Sequence, residues 1–131
     1  MDILVAMDRS TESENAFVNA MDIVSSMGGR VIAVHVADSE ADGGEDIVQR
    51  AVERGTKRGV SVDTEVLAGD PIEEIPEFAE RCGADAIYLG HRGLSHASEA
   101  ISGQPRGELG SVAKGIVERS TIPVTVFDRG L

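Results

Sequence analysis

The chain has 131 residues, 41% of them hydrophobic but only 3% aromatic and none of them Trp. That is enough for one domain, residues 1–131, with a core of Val, Ile, Leu, Ala and Met, and too short for two. Asp and Glu number 23 against 12 Lys and Arg, a net charge of −11, which speaks against nucleic acid and anionic membrane as partners.

No apolar run approaches the ~20 residues that a membrane span needs. Met1-Asp2-Ile3 carries no basic stretch ahead of an apolar one, so no signal peptide is expected. Cys82 is the single cysteine, which makes an internal disulfide impossible and a cytoplasmic location the expectation. Only Lys57 and Lys114 are lysines; the other ten cations are arginines. Few lysines and many carboxylates suit a salt-rich (halophilic) cytoplasm, where screening removes self-repulsion; an ordinary acidic protein has the same composition.

Ile3 to Met7 is an unbroken apolar run of strand length, as expected of a strand buried on both faces. Asp8-Arg9-Ser10 ends it, and Thr11 with Glu14 forms a capping-box pattern. Phe17, Ala20, Met21, Val24 and Met27 follow at helical spacing until Gly28-Gly29. Val31 to Val36 is a second buried strand, and Asp38 to Gly44 a polar loop. Ile47, Val48, Ala51 and Val52 mark a second helix that closes near Gly59. Val60, Val62, Thr64 and Val66 alternate with polar residues, the pattern of a strand at a sheet edge.

Asp70-Pro71 starts a third helix, with Asp70 as N-cap, Pro71 at the first helical position and Glu73 closing the box. Pro76 falls inside it and is expected to kink it. Ala86 to Leu89 is a fourth strand. Residues 94 to 109 read as a loop, Val112, Ala113, Ile116 and Val117 as a fourth helix, and Pro123 to Phe127 as a fifth strand. Strand and helix alternate throughout, which predicts an α/β fold: a single doubly wound, five-stranded parallel sheet with helices on both faces. Such sheets bind ligands beyond the carboxyl ends of their strands.

The residues that carry chemistry lie at those ends. Gly90-His91-Arg92-Gly93 follows the fourth strand, and Gly110-Ser111 opens the fourth helix. Glycines admit close approach of an anion, and a helix N-terminus offers unpaired N–H groups and partial positive charge. Arg92, Arg106 and Lys114 are candidates to neutralise phosphate. Asp8 faces the same crevice if strands one and four are neighbours. Each residue also has a plainer use: Gly90 and Gly93 in a tight turn, Ser111 as an N-cap, Asp8 as a cap of the first helix. His35 reads as a packed histidine, and His91 with His96 lacks the companions of a zinc site. No nucleophile, base and orienting group assemble into a catalytic set.

The chain resembles the universal stress protein family, UspA type. The resemblance rests on Ile3-Leu4-Val5-Ala6-Met7-Asp8-Arg9-Ser10, Val34-His35-Val36, Gly69-Asp70-Pro71, Gly83-Ala84-Asp85, Gly90-His91-Arg92-Gly93, Gly110-Ser111-Val112-Ala113 and Ile122 to Val126. It implies strand order 3-2-1-4-5, a homodimer joined through the last strand, and a stress-response or signalling role with a further protein partner. ATP-binding members space their glycines as Gly, two residues, Gly, nine residues, then Gly-Ser or Gly-Thr. Here sixteen residues stand between Gly93 and Gly110, an enlarged loop. Carried over by position, Ala6, Met7, Asp8 and Val36 would line the adenosine end. Gly90, Gly93, Gly110, Ser111 and Val112 would hold ribose and phosphates, with Arg92 at hand and the loop carrying Arg106 over them. The implied ligand is ATP or another adenine nucleotide with Mg. A nucleotide-free dimeric interaction protein and a slow ATP hydrolase stay open beside that reading.

Overall fold

The computed structural model describes residues 1–39, 43–91 and 110–128. Within them the elements run β1 (Asp2–Ala6), α1 (Thr11–Met27), β2 (Arg30–Ala37), α2 (Gly44–Arg58), β3 (Ser61–Ala68), α3 (Pro71–Cys82), β4 (Ala86–Gly90), α4 (Ser111–Arg119) and β5 (Val124–Phe127). The five strands form one sheet in the order β3-β2-β1-β4-β5, and every pairing is parallel. This is the expected doubly wound α/β sheet.

The alternation of side chains along each strand sorts the core into two layers. Ile3, Val5, Met7, Val31 and Ala33 meet Phe17, Ala20, Met21 and Val24 of α1 and Ile47 and Ala51 of α2. Leu4, Ala6, Ile32, Val34, Ile87 and Leu89 meet Ile75 and Ala79 of α3 and Ala113 and Ile116 of α4. The inner strands are therefore apolar on both faces. Edge strand β3 leaves Ser61, Asp63 and Glu65 exposed, the polar positions of its alternating sequence, but Thr64, which the alternation sets with Val62 and Val66, is exposed as well.

Several local expectations are refined. The N-cap of α1 is Ser10, not Thr11: Ser10 has the extended backbone a cap needs, and its Oγ accepts from Ser13 N–H at 3.1 Å. Met27 and Val117, placed on apolar helix faces by spacing, are 67% and 42% exposed. Asp70 caps α3 through Ile72 N–H at 3.0 Å, while the Glu73 carboxylate lies 3.8 Å from Arg119. Pro76 lies inside α3, as expected, and the helix runs on to Cys82.

At the amino end of the sheet, Arg30 ties three elements to β2. Its Nε lies 3.2 Å from Asp2 and its Nη1 2.5 Å from Asp63, and its Nη2 donates to the carbonyl of Cys82 at 3.1 Å. The two carboxylates, Asp63 foremost and then Asp2, raise the guanidinium pKa above its ordinary value.

Candidate functional site

The candidate site is at the opposite end of the sheet. β1 lies between β2 and β4, with Val5 opposite Ala33 on one side and Tyr88 on the other. Asp8, two residues past the end of β1, and Gly90, at the end of β4, therefore leave adjacent strands at the same sheet edge. β4 is continued by His91, whose N–H donates to Phe127 O at 2.7 Å. Its carbonyl accepts from Gly110 N–H at 3.2 Å, which docks the start of α4 onto the exit of β4.

α4 begins at Ser111, and its N-cap is Gly110, which has no side chain to cap the first N–H groups. Ser111 is thus the first helical residue rather than the cap. The first turn of any helix carries backbone N–H groups without intrahelical partners, the arrangement that favours an anion. Gly110 is buried, Ser111 exposed and Val112 half-buried.

Gly90 is required by close approach. A Cβ there would meet Glu12 Cβ at 2.8 Å and the backbone N of Ser13 at 2.9 Å. The glycine lets the first turn of α1 lie directly against the end of β4.

Asp8 is held by a small network. Its Oδ1 accepts from Ser10 N–H at 2.7 Å, and its own N–H donates to Ser13 Oγ at 3.2 Å. Asp8 thus braces the cap of α1 without being the cap. Its other oxygen, Oδ2, is buried and has no hydrogen-bond partner among the described residues. A buried carboxylate oxygen left unpaired is costly, so this atom awaits a donor.

Ala6 and Val36 are 2% and 8% exposed and belong to the layer under α3 and α4. The Met7 side chain packs into the other layer, with α1 and α2. Only the Met7 backbone lies at the crevice: its N–H donates to Val34 O at 2.7 Å, and its carbonyl lies 2.8 Å from His35 Nδ1. Arg92, Gly93, His96, Arg106 and the rest of 94–109 lie outside the described residues. Sequence reasoning passed over Ser13, the hydroxyl that links Asp8 to the cap; a buried serine three residues after Ser10 was its signal. A second depression, about 370 Å³, lies between α3 and the end of α4. Across it Thr121 Oγ1 donates to Glu80 at 2.5 Å and Arg119 lies 3.8 Å from Glu73.

Residues 1–128 match the model of the Universal stress protein family. The chain belongs to this family. Among curated members it is similar to Universal stress protein MJ0531 of Methanocaldococcus jannaschii, 30% identical over 145 aligned positions that cover 97% of this chain and 81% of that one. Among solved structures it resembles a universal stress protein in complex with cAMP, with a TM-score of 0.78 at 22% identity over 99% of this chain and 98% of the other. It also resembles the universal stress protein from Archaeoglobus fulgidus in complex with dAMP, with a TM-score of 0.75 at 23% identity over 97% of each chain. At these identities the structural likeness is one of fold. No helix among the described residues of this family member is long and apolar enough to cross a membrane.

Proposed function

We propose that this universal stress protein binds an adenine nucleotide, ATP with Mg foremost, in the crevice between the exits of β1 and β4. It does so as a cytoplasmic homodimer that signals to a protein partner. The observation that carries the reading is Asp8 Oδ2, buried with no hydrogen-bond partner among the described residues, at the sheet end where β4 leads through His91 to the glycine-capped start of α4. One crevice thus has an acceptor waiting for a hydroxyl or amino donor and a set of N–H groups waiting for an anion. A nucleoside phosphate has both. The ligands named for the two related structures, cAMP and dAMP, are of this class.

Ala6, Met7, Asp8 and Val36 form the adenosine end in this reading. Gly90, Gly110, Ser111 and Val112, with Arg92 and Gly93, hold ribose and phosphates. Magnesium suits the proposal because the chain is strongly acidic, with a net charge of −11, and a polyphosphate adds further negative charge. Dimerisation draws support from β5, which ends the sheet and leaves Thr125 exposed between half-buried Val124 and Val126.

Titration calorimetry with ATP–Mg and with AMP tests the reading. Saturable binding is expected. Asp8→Ala should weaken it by roughly 10- to 100-fold, the value of a hydrogen bond to a charged group. If the wild-type protein binds neither nucleotide, a nucleotide-free dimeric interaction protein replaces this conclusion.

A further inference from the structure

The end of β1 is cut short in a particular way. The β1–β2 register ends at Ala6 opposite Val34, while β2 continues to Ala37. The last rung is Met7 N–H on Val34 O at 2.7 Å. In a parallel ladder the next rung would bring Val36 N–H onto the Met7 carbonyl. That carbonyl is taken instead by a side chain, His35, at 2.8 Å. A carbonyl only accepts, so His35 Nδ1 carries the proton. The ring is 5% exposed and sits in a strand paired on both sides, so the bond is held in a fixed place. Hydrogen-bonding direction alternates along a strand, so Val36 N–H points to the same side as Val34 O, toward the space beyond the end of β1.

We propose that His35 is a positioning residue for the crevice. By occupying the Met7 carbonyl it stops the β1–β2 ladder one rung early and keeps Val36 N–H as a donor for an acceptor on the bound ligand. This rests on the nucleotide reading for the ligand, but the ladder itself is testable without one.

In the ligand-free protein, amide hydrogen exchange measured by NMR should be at least about tenfold faster at Val36 than at Val34, which lies within the paired ladder. His35→Phe removes the donor and frees the Met7 carbonyl for Val36 N–H. Exchange at Val36 should then slow by about tenfold, and AMP affinity should fall by about tenfold. His35→Asn places an amide N–H near the position of Nδ1 and should restore both values to within about threefold. Equal protection of Val36 and Val34 in the ligand-free wild type overturns the proposal with no variant needed. So does a His35→Phe protein that binds AMP as the wild type does. A wild type that binds no AMP while Val36 exchanges fast overturns the nucleotide reading and upholds the broken ladder.

Discussion

Gly90 shows how tightly the crevice is built at the level of single atoms. No side chain fits there, because the space a methyl would need holds Glu12 Cβ and the Ser13 backbone nitrogen at under 3 Å. Gly90→Ala must push the first turn of α1 away, and with it the Ser10–Ser13–Asp8 network. Overpacking of this kind costs about 1–3 kcal/mol, so the melting temperature should drop by roughly 3–10 °C; scanning calorimetry checks it, and an unchanged melt would mean that α1 yields freely. The position of Gly90 and Asp8 at strand exits was legible in the sequence, since a glycine closes one apolar run and an acid follows another. The reason for Gly90 was not legible: the sequence suggests a turn or a phosphate contact, and the structure shows a helix lying against it. Nor does any one-dimensional pattern reveal that Asp8 uses one oxygen and leaves the other unpaired.

At the scale of elements, strand and helix order was written plainly in the apolar runs and their punctuation. Asp70-Pro71 starts α3 and Gly59 ends α2 as their chemistry demands. The misses occur where neighbours decide. Met27, the last residue of α1, and Val117 in α4 keep helical spacing, but both side chains are exposed. Helix pairing was also beyond the sequence. α3 and α4 touch through Gly115, where a Cβ would lie 2.7 Å from Ile72 Cδ1. Gly115→Ala has two opposed effects: helix propensity improves by up to about 1 kcal/mol, while Ile72 must move. Because Cγ1 and Cγ2 at the branched root of Ile72 would also lie 2.9 Å away, the whole stiff side chain has to shift, and a net loss of about 1 kcal/mol is expected. Gly115→Val, which adds bulk that Ile72 cannot clear, should destabilise by about 2 kcal/mol or more. Urea unfolding of the pair measures the difference.

For the whole molecule, the excess of carboxylates sets the response to solvent. With a net charge of −11 on 131 residues, self-repulsion acts over a Debye length of ~10 Å at 0.1 M salt and ~3 Å at 1 M. The melting temperature should climb between those conditions, and a flat or falling curve would remove the case for salt adaptation. Arg30 should moderate the effect locally, since its one positive charge lies between Asp2 and Asp63 and offsets half of theirs, at the end of the sheet away from the crevice. Sedimentation in the same buffers should give twice the chain mass if β5 pairs across a two-fold axis.

The seam beside that outer strand has an optical consequence. The chain has one Tyr and no Trp, and the ring of Tyr88 in β4 lies 4.9 Å from that of Phe127 in β5. All of the protein's tyrosine emission therefore originates at the joint between the inner sheet and its last strand. Titrating unlabelled protein with denaturant and following that emission reads out the detachment of a single strand, with no engineered probe to disturb it.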